Sequence, residues 1–199
     1  MRYKAGKTDL INPGIHSEEW EKTEWVTLAD SRWKEFNLPI ETKFKILRGP
    51  EGISILMHTD EKNLRAEVTE ENGMVCEDSC MEFFFKPDPW DLKYINFEIN
   101  PRGVMHIGLG ADRYGRELIL EDRKTFDIES IPNDGDWTLK YYIPDGFLHK
   151  YFKNIARVCR GNFYKCANAS DHKHYATWSP VEVEKPDYHL PDFFGIIEL

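Results

Sequence analysis

Two short stretches carry the side chains best suited to chemistry. In residues 94–100 (YINFEIN), alternation puts Ile95, Phe97 and Ile99 on one face and Tyr94, Asn96, Glu98 and Asn100 on the other. In residues 78–85 (DSCMEFFF), Met81, Phe83 and Phe85 share a face, opposite Cys80, Glu82 and Phe84. If the two strands are neighbours, Glu82 joins Asn96, Glu98 and Asn100 on one patch. Carboxylates and amides pair with vicinal hydroxyls, and aromatic rings stack on the apolar C–H face of a pyranose, so this set suits a sugar. The same pattern also describes the solvated face of an ordinary amphipathic strand. A third reading is catalytic: Glu82 and Glu98, held about 5–9 Å apart, would supply a glycosidase with its acid and its base or nucleophile.

Other clusters carry less. Asn133-Asp134-Gly135-Asp136 offers oxygen ligands at short spacing but lacks the rest of a calcium loop and precedes Trp137, so a hairpin turn is expected. Cys76 and Cys80 are spaced CxxxC, and Cys159 and Cys166 CxxxxxxC, followed by His172 and His174. Zinc sites favour closer pairs such as CxxC, so cysteines packed in strands are expected. Gly108-Leu109-Gly110 begins like a dinucleotide loop, but Arg113 stands where the third glycine belongs and no helical pattern follows. Nucleophile-elbow, phosphate-loop and HExxH motifs are absent.

The elements that must position the patch are strands. Period-two patterning marks 42–47, 53–58, 64–69, 79–86, 94–100, 103–109, 117–121, 126–131, 137–143, 156–167, 175–179 and 195–199. Only 145–152, after Pro144, and a turn at 18–24 suggest helix. Strands this short and this frequent predict an all-β fold. The expectation is one domain over 1–199, a β-sandwich of jelly-roll or immunoglobulin-like kind with ten or more mostly antiparallel strands and one or two short helices. Phe163, Trp178, Phe193 and Phe194 are expected mostly to fill its core.

Composition narrows the function. The 199 residues are 41% hydrophobic and 14% aromatic, enough to fill a core, and the net charge of −9 argues against nucleic acid as a partner. No apolar run approaches the roughly 18 residues of a membrane span. The first residues, MRYKAGKTDLINPG, have a basic start without an apolar core, so a cytoplasmic protein with reduced thiols is expected.

The blocks GNFYKC, HYATWSPV and PDYHLPDFFG, with the earlier DSCMEFFFKP and YINFEINPRG, together resemble the family 9-like carbohydrate-binding proteins. The likeness runs from about Asp78 to the C-terminus, with a weaker match before it. It implies a DOMON-like β-sandwich related to the family 9 modules of xylanases. Such modules bind neutral mono- and oligosaccharides or glycan ends between two tryptophan rings, with polar residues gripping the hydroxyls. It also implies glycan-handling proteins that are usually exported, the alternative to a cytoplasmic place, and allows structural calcium with no ligands mapped. Residue by residue, Glu82 and Asn100 match the family pattern. Tyr188 stands where the second tryptophan would be and is the expected stacking platform, exposed in a polar loop. Val75 stands in place of the first tryptophan, and Trp90 is the candidate replacement ring. Glu98 stands in place of an arginine, which reverses the charge at the grip. Three functions follow: non-catalytic sugar binding, hydrolysis by Glu82 and Glu98, or a protein-interaction module whose sugar site has decayed.

Overall fold

The computed structural model describes residues 1–30 and 32–199. The chain begins with β1 (Arg2–Lys4), β2 (Gly6–Lys7), β3 (Val26–Thr27), β4 (Thr42–Arg48) and β5 (Gly52–Thr59). It continues through β6 (Ser79–Lys86), β7 (Tyr94–Ile99), β8 (Met105–Gly110), β9 (Glu117–Leu118) and β10 (Glu129–Pro132). β11 (Trp137–Pro144) leads into a single helical turn, α1 (Asp145–Leu148), and β12 (Val158–Ala167), β13 (Tyr175–Thr177) and β14 (Gly195–Glu198) follow. One sheet has the order β1-β14-β12-β6-β7-β8-β9, with β13 also paired to β12; the other runs β10-β11-β5-β4-β2, with β3 on β4. Most pairs are antiparallel; β1 with β14 and β2 with β4 are parallel. No helix among the described residues is long and apolar enough to cross a membrane.

The sheets face each other through the apolar rows read from the sequence. Met81, Phe83 and Phe85 of β6, Ile95, Phe97 and Ile99 of β7 and Phe163 of β12 meet Phe44, Ile46, Ile55, Met57, Leu139 and Tyr141 of the other sheet. Phe163 stacks on Phe44, with ring centroids 3.7 Å apart, and on Phe83 at 4.3 Å. Trp178 also lies in this core. Burying these rows fixes the register, because a slip of one residue would turn every apolar side chain outward.

The outer face of the first sheet is covered as well. Loops carrying Trp33, Val75, Val181 and Tyr188 pack over Cys80, Phe84, Tyr94, Tyr164 and Cys166 in a second apolar cluster. Hence the polar row of β7 is not the solvated side of an amphipathic strand: all six residues of that strand are buried.

Several boundaries differ from the sequence reading, each for a local reason. Residues 64–69 form no strand, because β6 is already paired on both sides. Their backbone is satisfied by side chains instead: the N–H groups of Glu67 and Val68 donate to Asp78, and Arg65 N–H donates to Ser79 Oγ. Residues 126–131 break at Asp127, whose φ of 42° lies in the left-handed region, so the strand starts only at Glu129. The segment 145–152 is regular helix only to Leu148, after which Phe152 N–H closes a further turn on Leu148 O. The turn at Asn133–Asp136 is an ordinary hairpin, with Asn133 donating to Asp136 from both backbone and side chain.

Candidate functional site

Between the outer face of the first sheet and its covering loops lies a cavity of about 280 Å³. Strand pairing builds its floor. Across β12, β6, β7 and β8 the register sets Tyr164 against Glu82, Glu82 against Glu98, and Glu98 against His106. The next row pairs Phe84 with Asn96 and Asn96 with Gly108. Glu82, Phe84, Asn96, Glu98 and His106 all line the cavity, so the two carboxylates predicted to share a patch do share one. Tyr175, Tyr188 and His189 belong to its walls, and Arg113 and Arg116 reach it from the hairpin that joins β8 to β9.

The two carboxyls on this floor are buried. Burial first, and then the neighbouring Glu98 charge, raises the Glu82 carboxyl well above its ordinary 4.5, against the opposing effect of the Cys166 thiol, 2.8 Å from Oε1. Burial also raises Glu98, offset by His106 and Arg116 and by Asn96 Nδ2, which donates to its Oε1 at 2.8 Å. A carboxyl raised on folding holds its proton more tightly in the native state. Its contribution is complete below the ordinary 4.5 and is lost as pH rises through the folded value. Glu82→Gln copies the neutral acid without titrating. Its stability relative to wild type is therefore expected to climb as pH rises from 4.5 toward the folded value, by up to about 1.4 kcal/mol per pH unit, and to level off above it. Denaturant melts of both proteins across acid and neutral pH check this; parallel curves would show that Glu82 is not held neutral.

Arg116 is the functional residue that strand patterning misses. Its guanidinium donates to Asp112 O and Gly108 O, at 2.8 and 3.1 Å, and to Asn96 Oδ1. It also lies 4.4 Å from the centre of the Tyr94 ring, a cation–π contact. Asn96 passes the polarity on to Glu98, so guanidinium, amide and carboxylate form one chain. Room for it comes from two glycines. A Cβ at Gly108 would lie 2.7 Å from Asn96 Oδ1 and 3.2 Å from Arg116 Nε, and one at Gly110 would lie 3.1 Å from Arg116 Cγ. The Gly-Leu-Gly that imitates a dinucleotide loop is thus a trough in β8. A strand glycine marking close approach of another group was the available signal. Arg116 and Arg113 bring positive charge to the cavity from the hairpin between β8 and β9. On the rim, Arg113 bonds Asp187 at 2.8 Å and ties that hairpin to the loop bearing Tyr188. Burial, with Arg116 and Arg113 nearby, drives His189 down to about 3, so it is neutral where its Nδ1 meets Tyr94 Oη at 2.8 Å.

Other expected residues fall elsewhere or act differently. Tyr188 lines the cavity but is 7% exposed, a correction to its expected exposure. One ring face is stacked on Tyr164 at 4.0 Å, and its Oη donates to Lys165 O at 2.8 Å. Asn100 does not line the cavity. Its Nδ2 donates to Val68 O and Asp78 Oδ2 and its Oδ1 accepts from the N–H groups of Arg102 and Val104, so it holds the loops in place. Trp90, in the turn between β6 and β7, is 92% exposed and lies outside the cavity lining, so it supplies no second ring. Val75 is buried in the second apolar cluster, while its neighbours Met74 and Cys76 line the cavity.

Calcium takes six to eight oxygen ligands. The group of three candidate metal ligands among the described residues is Cys80, Glu82 and Cys166, two of them sulfur, which does not fit calcium. All four cysteines are free thiols.

A two-sheet β-sandwich with a polar, aromatic-walled cavity on one sheet defines a ligand-binding module of the kind that takes small polar molecules. The family is specific: residues 16–199 match carbohydrate-binding family 9, and the chain belongs to it. A protein from Bacteroides uniformis ATCC 8492, described as carbohydrate-binding, shares 26% identity, with 99% of this chain and 98% of that one covered and a TM-score of 0.89. A family 9 carbohydrate-binding module from Caldicellulosiruptor kristjanssonii in complex with glucose has the same fold, at TM-score 0.69 and 12% identity, over 100% and 95% of the two chains. Its complex with cellotriose gives 0.66 and 12% over 100% and 92%. A search of curated proteins finds no match.

Proposed function

We propose that the protein binds a neutral sugar, as a mono- or disaccharide or as the end of a glycan, in the cavity over β6, β7 and β8, and does not transform it. The observation that carries this is the adjacent pair Glu82 and Glu98 on the floor of a cavity walled by rings and linked through Asn96 to Arg116. Carboxyl and amide groups beside a guanidinium donor match hydroxyls, which donate and accept at once. A volume of about 280 Å³ sits at the lower edge of small-molecule sites, which span about 300–1,000 Å³, and suits one or two sugar rings. The glucose and cellotriose complexes of the Caldicellulosiruptor module support a neutral glucan as ligand class.

Hydrolysis fits the geometry less well. Glycosidase carboxyls flank the scissile bond, whereas Glu82 and Glu98 stand side by side on one sheet face, and Glu98 is already engaged by Asn96.

Calorimetric titration with glucose and cellobiose tests the proposal, comparing wild type, Gly108→Val and Gly146→Ala. Valine at 108 fills the trough and displaces Arg116 from Asn96. Losing a charge-assisted bond of about 1.5–3 kcal/mol should weaken binding roughly 10–100-fold. A Cβ at Gly146 meets nothing within 4 Å, so that variant should bind as wild type does. Absence of binding to every neutral sugar tried, or equal binding by the valine variant, would overturn the assignment.

A further inference from the structure

Three of the four cysteines converge beneath the cavity. Cys80 and Cys166 are register partners on β6 and β12, and Glu82 follows two residues later on the same face of β6. The Cys166 thiol lies 2.8 Å from Glu82 Oε1 and 3.5 Å from the carbonyl oxygen of Cys76. The donor atoms of Cys80, Glu82 and Cys166 all lie within 4.8 Å of one another. Cys159, by contrast, sits apart, with its thiol against Ala156 O and Pro87 O.

We propose that Cys80, Cys166 and Glu82 form a binding site for a soft divalent cation of the zinc and cadmium class at the cavity floor, sharing Glu82 with the sugar site but resting on observations of its own. The sheet itself holds the donors: two come from directly opposed residues and the third from the next residue on that face, so no loop has to fold around the ion. Zinc at about 2.3 Å from sulfur and about 2.0–2.2 Å from a carboxylate oxygen needs its donors roughly 3.3–3.8 Å apart. Cys166 Sγ and Glu82 Oε1, now 2.8 Å apart, would separate slightly to admit the ion, and all three donors already lie within 4.8 Å of one another. Sulfur donors select zinc-like ions over calcium or magnesium.

Charge makes the same point. The hydrogen bonds described for these three groups come from no cation: Glu82 accepts from a thiol, and the buried ammonium of Lys165 is paired with Glu61 at 2.7 Å. Two thiolates and a carboxylate carry three negative charges, which a divalent ion largely balances at this buried position. On binding, the thiol protons leave to solvent. Glu82 and Cys166 both line the cavity, so the fourth coordination position opens there, as in three-ligand zinc sites that keep one place for water.

Titration of the metal-free, folded protein with Co2+ tests this, reading the thiolate-to-cobalt absorption band and its loss on adding Zn2+. The expected result is one ion per chain. Cys80→Ser and Cys166→Ser should each weaken binding at least about tenfold, with Cys159→Ser unchanged. Glu82→Gln keeps the side-chain shape and removes one anionic ligand, so it should weaken binding too even if the serine variants fail to fold. Zinc-edge X-ray absorption of the wild type should then show two sulfur neighbours at about 2.3 Å. No thiolate band at millimolar Co2+, a band that survives in Cys80→Ser/Cys166→Ser, or a zinc shell of oxygen and nitrogen alone would overturn the proposal.

Discussion

Lys165→Ala is expected to lower the stability of the fold by about 3–5 kcal/mol. The Lys165 side chain is fully buried, with its ammonium 2.7 Å from Glu61 Oε2 and donating to Cys166 O at 2.9 Å. Ser79 Oγ donates to the other oxygen of Glu61 at 2.7 Å. His174 stands 3.9 Å away, but burial, and then Lys165, hold its pKa down to about 4, so at neutral pH it brings no competing charge. Removing the ammonium alone leaves an uncompensated carboxylate in a buried site, which is the costly outcome. Lys165→Met with Glu61→Gln removes both charges and keeps an acceptor for Ser79, so the double variant should be clearly more stable than Lys165→Ala. Guanidinium melts of Lys165→Met, Glu61→Gln and the double variant measure the coupling; strictly additive losses would contradict it. The pair matters for the site because Lys165 lies between Tyr164 and Cys166, at the end of β12 that borders the cavity.

Tyr188→Ala is the second large effect. The side chain packs against Tyr164, and Trp33 and Tyr175 stand 6.0 and 6.1 Å away, so truncation opens the wall of the cavity from within the second apolar cluster. Loss of a buried aromatic side chain costs about 3–5 kcal/mol, and sugar binding should disappear with the wall. Tyr188→Phe separates the two roles. It deletes only the hydroxyl, with its bond to Lys165 O at 2.8 Å and its longer one to Ala176 O at 3.5 Å, a loss of about 1 kcal/mol, and should still bind sugar. A phenylalanine variant that loses binding would place the hydroxyl, rather than the ring, at the ligand.

How much of this was legible follows from where the determining contacts are made. The floor was readable because Met81, Phe83 and Phe85, and Ile95, Phe97 and Ile99, must face one core. That constraint puts Glu82 and Glu98 on the opposite face, and antiparallel neighbours then set them side by side. The walls were readable only through the resemblance, which pointed to Tyr188 but not to its burial. Tyr188 lies in a polar sequence context, and only the loops that fold over the sheet bury it. Asn100 fits the polar row by alternation, yet its amide is drawn to Asp78 and the loop before it. Arg116 lies outside the strands, and its reach depends on two missing side chains at Gly108 and Gly110, which periodicity does not register. Residues 64–69 alternate as a strand does, but β6 had no free edge to offer them.

A crystal structure of the protein grown with cellobiose would locate the ligand outright. A sugar ring is expected in the cavity over β6, β7 and β8, with its hydroxyls bonded to Glu82 and Glu98 and one edge toward Tyr188. A sugar bound elsewhere on the sandwich, or an empty cavity at saturating cellobiose, would contradict it.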